Sequence, residues 1–321
     1  MSQLRILFMG TPEFAVESLD ILVKNNYKIV GVITVPDKPA GRGQLLQESA
    51  VKKYAIEKGL NVLQPEKLKD EKFLEELRAL NADLQIVVAF RMLPQIIWSM
   101  PLLGTVNLHG SLLPQYRGAA PINWAVINGE KETGVSTFFL QQEIDTGKII
   151  FREKTPIEEN ETAGELHDRL MFIGASLVLK TVKAIEENNY TQIDQSEFIA
   201  NGEQVKHAPK IFKEDCKIDW TKSVSEIHNF IRGISPYPSA HSTFISTDGK
   251  THSVKIFRTA KEFTSHNLLI GLITSDSKSF LKIAVKDGYI NILELQLAGK
   301  KKMSTTEFLR GFTINNEWTA T

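Results

Sequence analysis

The polar residues best suited to chemistry lie in two short stretches, Thr105 to Pro121 and Gln142 to Gly147. Asn107 and His109 alternate at the end of a predicted strand, which points both side chains to one face. Asp145 stands in the second stretch. A carboxylate near an imidazole can orient the ring and favour its protonated form, while an amide can donate to an oxyanion. These three residues are interpreted as one proton-handling, oxyanion-stabilising site, although a polar residue at a strand end is more often simply a satisfied polar group.

The elements that must position this site follow a βαβ pattern. Arg5 to Met9 is an apolar run typical of a buried parallel strand, Glu13 to Lys24 is a predicted helix, and Lys28 to Val35 is a second strand. Such alternation predicts an α/β fold with a doubly wound, mostly parallel sheet. Ligands in these sheets gather at the carboxyl ends of the strands, which is where a site starting at Asn107 would lie.

The remaining predictions complete two domains. Helices are predicted at Ser49–Lys58, Asp70–Leu80, Pro121–Asn128 and Ala163–Ile185, and strands at Asn61–Leu63, Leu84–Ala89, Thr105–Leu108, Val135–Leu140 and Lys148–Glu153. The polar stretch from Glu186 to about Gln204 is predicted to be a linker. Short β-rich runs at Ser253–Phe257, Leu268–Ile273, Phe280–Val285 and Tyr289–Gln296 then predict a smaller C-terminal β-barrel.

Bulk properties limit the class of protein. A chain of 321 residues suggests two domains, and 42% hydrophobic with 24% charged residues is ordinary for a globular protein. It has no apolar run long enough for a membrane span and no cleavable signal pattern, which predicts a cytoplasmic protein. Cys216 is the single cysteine and the histidines lack metal-binding spacing, so no metal is expected. The turn GTPEFA lacks dinucleotide and phosphate-binding fingerprints, so no nucleotide cofactor, neither NAD nor ATP, is predicted there.

Charge is distributed unevenly along the chain. Residues 206–321 contain 17 Lys and Arg against 11 Asp and Glu, while residues 1–205 contain 21 against 27. A basic C-terminal part is compatible with a polyanionic partner, and equally with a solvated lysine-rich surface. The stretch PDKPAGRGQ adds Lys38 and Arg42 on a loop rich in proline and glycine, which is predicted to be irregular. An arginine there could recognise phosphates or base edges, although an ordinary exposed arginine is the simpler interpretation.

The string NLHGSLLP, followed by YRGAAPINW and then DTG, resembles the signature of the 10-formyltetrahydrofolate-dependent formyltransferases in order and spacing. The resemblance implies that Asn107, His109 and Asp145 form the catalytic trio. It also implies that a folate-binding segment, formed by Ser111, Leu112, Leu113 and Pro114, receives 10-formyltetrahydrofolate as co-substrate. Arg91, in FRMLP, replaces the Gly of a Tyr-Gly pair found in many relatives, which leaves the shape of that wall of the folate pocket open.

Other strings extend the resemblance over nearly the whole chain. PDKPAGRG looks like the loop with which methionyl-tRNA formyltransferases, a branch of that family, engage the acceptor end of initiator tRNA. APKI, IDW, RGISPYP and LAGKKKMSTTEFLRG look like their C-terminal domain, an oligonucleotide-binding-type barrel. The resemblance implies a catalytic domain over residues 1–189, a linker over 190–205 and a tRNA-binding domain over 206–321. Initiator methionyl-tRNA is the expected partner, with candidate contacts at Lys38, Arg42, Lys206 and Lys210, and further candidates at Lys300, Lys301 and Lys302.

Three alternatives remain open at this stage. A 10-formyltetrahydrofolate hydrolase could use the same trio with water in place of an amine. A non-catalytic tRNA-binding protein with a vestigial site is a second possibility, weakened by the presence of all three polar residues. A nucleotide-sugar formyltransferase is the third, and the PDKPAGRG loop and the barrel-like second domain disfavour it.

Overall fold

A computed structural model describes residues 3–40, 45–200, 202–314 and 317–321, so that Arg42 lies outside the described residues. The chain forms two compact units, each assembled from separate segments. The first extends to Gly118 and also contains Gly134–Thr155 and His167–His207. The second contains Ala119–Thr133, Pro156–Leu166 and Ala208–Thr321. Within the described ranges, no helix combines the length and apolar character that crossing a bilayer requires.

The regular elements of the first 200 residues agree closely with the sequence pattern. The strands are β1 Arg5–Gly10, β2 Lys28–Ile33, β3 Lys38–Ala40, β4 Leu45–Gln47, β5 Val62–Leu63, β6 Leu84–Val88, β7 Thr105–His109, β8 Arg117–Gly118, β9 Glu132–Phe139 and β10 Ile149–Pro156. The helices are α1 Glu13–Lys24, α2 Ala50–Glu57, α3 Glu71–Ala79, α4 Gln95–Trp98, α5 Pro121–Ile127 and α6 Ala163–Glu186. A 3-10 turn, Gln195–Phe198, follows. Every predicted helix and strand of this region is present; α1 has the predicted bounds, and the others differ at one or both ends.

The first unit is built on a seven-stranded sheet in the order β10-β9-β7-β6-β1-β2-β5. The pairs from β7 through β5 are parallel, and β9 is antiparallel to β7. The β1 side chains from Ile6 to Met9 are fully buried, as expected for a strand covered on both faces. The predicted doubly wound, mostly parallel sheet is confirmed.

The sheet register brings three strand ends to one edge. Gly10 of β1 lies beside Val88 of β6, and Val88 lies beside Leu108 of β7. His109 is the last residue of β7, so it follows directly at this carboxyl edge. The fold therefore places the Asn107–His109 segment where open α/β sheets bind their ligands.

Side-chain caps begin two of the helices on this sheet. Ser49 accepts a hydrogen bond from the Lys52 N–H at the start of α2, and Asp70 accepts one from the Phe73 N–H at the start of α3. Each cap satisfies one of the backbone donors that a helix start leaves without a partner. The helices therefore begin one residue later than predicted, because the capping residue itself is not helical.

Part of the PDKPAGRGQ stretch, Lys38–Ala40, is more regular than its composition indicates. β3 and β4 pair as an antiparallel hairpin, with Lys38 opposite Gln47. The Lys52 ammonium bonds Asp37, just before the hairpin, and lies 2.8 Å from Glu48, just after it. The prediction of an irregular loop is therefore wrong for Lys38–Ala40, which form a strand, and residues 41–44 lie outside the described residues.

The second unit is a barrel with helices. The short strand β11, His207–Ala208, lies where the chain passes from the first unit to the second. The barrel strands are β12 Ala240–Ile245, β13 Thr251–Glu262, β14 Ile273–Ser275, β15 Leu281–Val285, β16 Gly288–Leu297, β17 Met303–Ser304 and β18 Thr319–Ala320. The second unit also contains α5, α7 Val224–Gly233, α8 Thr305–Gly311 and a 3-10 turn, Lys213–Cys216. The strand order is β14-β15-β16-β13-β12-β18, and neighbouring strands in this order are antiparallel. Side chains of α7, including Ile227 and Ile231, join the barrel core.

The two ends of the barrel sheet meet. β18 pairs with β12, and the Ile273 N–H, at the start of β14, donates to the Trp318 carbonyl at 2.8 Å. The Ala320 N–H donates to the Gly271 carbonyl at 2.7 Å. A side chain at Gly271 would put its Cβ 2.6 Å from the Ala320 carbonyl oxygen, so this closure needs glycine. The predicted small barrel is confirmed as a nearly closed one, which protects its edge strands.

One predicted strand of this unit is wrong. Leu268 to Ile273 contributes only Ile273 to β14, and Leu268, Leu269 and Ile270 are exposed in the preceding loop. This apolar run has no period-two alternation, so it does not carry the pattern of a half-buried strand. The sequence analysis also missed α7 and α8, although Ser223 with Glu226 and Ser304 with Glu307 form capping boxes there.

Candidate active site

The imidazole of His109 faces two groups at the end of β7. Its Nδ1 is 3.7 Å from Asp145 Oδ2, and its Nε2 is 2.9 Å from the Tyr116 carbonyl oxygen. Because a carbonyl oxygen can only accept, Nε2 carries a proton and donates it. The Asp145 and His109 side chains are only 12% and 7% exposed. The structure therefore brings together two of the three predicted catalytic residues, in a site largely shielded from solvent.

The Asp145 loop is shaped by its own residue types. The backbone φ of Asp145 is 55°, in the left-handed region that Asp tolerates better than most residues because its short side chain bonds locally. Its Oδ2 accepts a hydrogen bond from the Gly118 N–H at 2.9 Å. A Cβ at Gly147 would lie 1.7 Å from the Phe139 carbonyl oxygen, so only glycine fits there. In the DTG string, the backbone conformation therefore favours Asp at the first position, and the lack of space requires Gly at the third.

Asn107 lies two residues before His109 on the same strand, between Val87 and Phe138 in the sheet register. A spacing of two residues directs both side chains to one face of the sheet. Asn107 is half-buried, and its side-chain amide has no hydrogen-bond partner among the described residues. This amide is a donor that a ligand could use.

The predicted folate-binding segment, Ser111 to Pro114, is a turn tied to β9. Ser136 Oγ donates to the Ser111 carbonyl at 2.7 Å and accepts from the Leu113 N–H at 3.1 Å. Ser111, Leu113 and Pro114 are buried, whereas Leu112 is partly exposed. The Leu113–Pro114 peptide is cis. Three of the four side chains therefore shape the turn, and Leu112 is the one that stays partly open to a ligand.

Arg91 is tethered. Its guanidinium donates to the carbonyl oxygens of Pro65 and Glu66, the latter at 3.0 Å. Burial lowers the pKa of Arg91 below its ordinary value. This arginine therefore joins the segment after β6 to the chain after β5, and its side chain is already engaged by protein groups.

The candidate tRNA contacts are scattered along the described chain. Lys38 is exposed on β3, and Lys206 and Lys210 are exposed further on. The Lys210 ammonium lies 5.1 Å from the centre of the Phe212 ring. Of the three later lysines, Lys302 forms an ion pair with Glu294 at 2.8 Å. In the described part of the chain, no group of three or more His, Cys, Asp or Glu residues could hold a metal ion.

Several residues that hold the site were missed by the sequence analysis. The Tyr116 carbonyl receives His109, and the Gly118 N–H binds Asp145. Arg117, between them, reaches Gln195, whose amide bonds the Asp145 loop. Arg117 stands inside the YRGAAP string, so that motif was a usable signal. Gln195 stands in the polar stretch predicted to be a linker, and no local pattern marks it.

Comparison with known proteins gives matches over both parts of the chain. The family model described as "Formyl transferase" matches residues 4–182, and the model "Formyl transferase, C-terminal domain" matches residues 210–313. A protein of Parabacteroides distasonis named methionyl-tRNA formyltransferase is 58% identical over 98% of each chain. One of the same name from Flavobacterium johnsoniae is 55% identical over 99% of each chain.

Solved structures show a similar fold. An N-formyltransferase from Helicobacter canadensis, in complex with folinic acid and dTDP-3-aminofucose, has a TM-score of 0.65 at 24% identity and covers 94% of this chain and 100% of its own. HypX from Aquifex aeolicus in complex with tetrahydrofolic acid has a TM-score of 0.62 at 18% identity, covering 98% of this chain and 49% of its own. At these identities the likeness concerns the fold alone.

Proposed function

The chain belongs to the formyl transferase family, and we propose that it transfers the formyl group of 10-formyltetrahydrofolate to the α-amino group of methionine on initiator methionyl-tRNA. The observation that carries this proposal is the identity of more than half with curated methionyl-tRNA formyltransferases over nearly the full length of both chains. The reaction serves translation initiation and therefore takes place in the cytoplasm.

Electrostatic stabilisation of an oxyanion is the main catalytic effect in this proposal. Attack on the formyl carbon gives a tetrahedral intermediate whose oxygen becomes negative, and donors aimed at that oxygen lower the barrier. The unpartnered Asn107 amide supports a role as one donor. His109 is the second donor to the oxyanion in this proposal. Its Nδ1 is beyond hydrogen-bond distance of Asp145, so the N–H at this position is not committed to the carboxylate. With a proton on each nitrogen the ring is positive, and the nearby Asp145 carboxylate balances that charge.

The bonds and protons balance without an acyl-enzyme. The neutral methionyl amine forms a C–N bond to the formyl carbon, and collapse of the intermediate breaks the bond from that carbon to N10 of the folate. Asp145, directly or through a water molecule, takes the proton that the amine loses, and the same proton is passed to N10 as it leaves. The amine is itself a competent nucleophile, so the protein supplies position and electrostatics.

Binding is divided between two parts of the chain. We propose that Ser111 to Pro114 supports the folate, with Leu112 contributing side-chain contact. Residues 1–189 form the catalytic domain, 190–205 connect, and 206–321 bind tRNA. The lysines at positions 38, 206 and 210, together with Arg42, contact phosphates, and their exposure supports this role for the three lysines.

The test is formyl transfer to charged initiator tRNA with 10-formyltetrahydrofolate as donor. Uncharged initiator tRNA and charged elongator tRNA serve as controls. We expect rapid formylation of the charged initiator species alone. Consumption of the folate at the same rate without any tRNA would contradict the proposal and indicate a hydrolase.

A further inference from the structure

Gln195 uses all of its hydrogen-bonding capacity beside the candidate active site. Its side chain is buried, and Nε2 donates to the backbone carbonyls of Asp145 and Gly147, each at 2.8 Å. Its Oε1 accepts from Arg117 Nε at 2.9 Å and from Nη2 at 2.6 Å. A glutamine amide offers two donors and two acceptor lone pairs, so no donor or lone pair remains for another hydrogen bond.

The tip of the loop that Gln195 contacts is exposed to solvent. Residues 141–144 are exposed, and Ile144 is 61% exposed. The backbone of Asp145 is in the left-handed region, which costs free energy in a residue other than glycine. Such a conformation persists only where contacts with the rest of the structure maintain it. The Gln195 amide binds the carbonyls on either side of Thr146. It therefore fixes the backbone from which the Asp145 carboxylate projects.

Gln195 belongs to a segment, residues 193–198, that is well anchored to the rest of its unit. We call this segment the strap. Ile193 exchanges two backbone hydrogen bonds with Ile149, each 2.9 Å long. Phe198 packs on the cluster of Leu113 and Ile149, and the Arg152 guanidinium lies 4.3 Å from the centre of its ring. A side chain positions a functional group precisely only when its own backbone is fixed. The strap meets that condition.

Arg117 and Gly118 close the arrangement. The Arg117 side chain holds Gln195 Oε1, and Gln195 holds the Asp145 backbone. The next residue, Gly118, donates its N–H to the Asp145 carboxylate. The dipeptide Arg117–Gly118 thus fixes Asp145 in two ways. Gly118 holds the carboxylate directly, and Arg117 holds the backbone through Gln195.

We infer that Gln195 is a positioning residue for formyl transfer, which keeps the Asp145 loop in its reactive geometry and is oriented by Arg117. This inference rests on the proposed function. Gln195 has no free polar group with which to bind substrate, so it acts through Asp145.

The test uses Gln195→Glu, which keeps the acceptor facing Arg117 and replaces the amide donor facing the two carbonyls. We expect kcat to fall about 10- to 100-fold through misplacement of the loop, with the KM for folate and for tRNA changed by less than about twofold. Gln3→Glu is the matched control, because Gln3 likewise donates to a backbone carbonyl, that of Asn26 at 2.6 Å, and takes no part in the candidate site. The control should retain the parent kcat.

Two further readouts separate positioning from general stability. In an Asp145→Ala background, Gln195→Glu should cause no additional loss of kcat, because residues that act as one unit are not additive. Hydrogen exchange of peptides covering residues 141–147 should become faster in Gln195→Glu without any substrate. If Gln195→Glu fails to fold, Arg117→Met removes the donors to Gln195 Oε1 and so tests the same interaction. This variant should also lower kcat.

An unchanged kcat, a loss additive with Asp145→Ala, or unchanged exchange of the loop would each overturn the inference. Failure of the parent protein to formylate charged initiator tRNA would instead refute the proposed function. The exchange measurement needs no activity, so it still decides whether Gln195 holds the loop in that case.

Discussion

The carboxylate of Asp145 faces the Nδ1 edge of His109 at 3.7 Å. The same oxygen accepts the Gly118 N–H at 2.9 Å. The carboxylate therefore has two separable features, a negative charge near the ring and a hydrogen bond that fixes its direction. Substitutions can remove the first and keep the second.

Asp145→Asn should lower kcat by about 100- to 10,000-fold, because an amide oxygen can still accept from Gly118 but has no charge and cannot take a proton. The thermal midpoint should stay close to that of the parent. Steady-state kinetics at saturating folate and tRNA, with a melting curve, check both points. A variant with normal kcat and a raised KM for tRNA would mean that the charge acts in binding.

Asn107→Ala should cost on the order of 100- to 1000-fold in kcat, because one oxyanion donor is lost, with folate affinity little changed. Asn61→Ala is a control in the same unit, since Asn61 is exposed and outside the site. Single-turnover formyl transfer measures the chemical step. A loss confined to KM would remove Asn107 from the catalytic role.

Arg42→Ala should raise the KM for charged tRNA, leave the KM for folate unchanged and reduce the dependence of tRNA affinity on salt, because one cation–phosphate contact is lost. Slow formyl transfer to a small amine should be retained. Arg78→Ala, at an exposed arginine near the end of α3, is the control. If transfer to tRNA and to the small amine fell together, the loop would have a structural role.

His228 should make unfolding depend on pH. The pKa of His228 is lowered to about 4, mainly by burial; the nearby Arg232 and Lys261 add to the lowering, and Glu159 opposes it. Between an unfolded value of about 6.5 and the folded value, the unfolded chain binds more protons, so stability falls as pH falls. The loss from about pH 7 to about pH 5 should be on the order of 2 kcal/mol.

His228→Gln should flatten this dependence. Denaturant unfolding of both proteins at several pH values in that range measures it, and carboxylates titrate mostly below it. An identical pH dependence in parent and variant would rule out His228 as its source.

Local pattern was enough to predict the sheet that carries the site. Glu13–Lys24 is helical over the residues that the sequence indicated, because an apolar face, an acidic first turn and a basic last turn all agree. The strand ending at His109 was equally readable. Leu268–Ile270 misled the prediction, since apolar composition without alternation does not define a strand.

Long-range contacts set the limit of prediction from sequence. The partners of Gln195 are Arg117, 78 residues away, and the Asp145 loop, 50 residues away. A glutamine in a polar stretch has no periodicity or turn chemistry that indicates such partners. The same holds for the Tyr116 carbonyl, because any residue type supplies a backbone oxygen for His109.

The strap has a practical consequence for dividing the protein by mutagenesis. A truncated chain ending at residue 189 would contain Asn107, His109 and Asp145, yet it would lack the amide that holds the third of them. Weak turnover by such a fragment would then be caused by a displaced Asp145 loop and not by the loss of tRNA affinity. A truncation that retains residues through 200 is the fairer measure of what the barrel contributes.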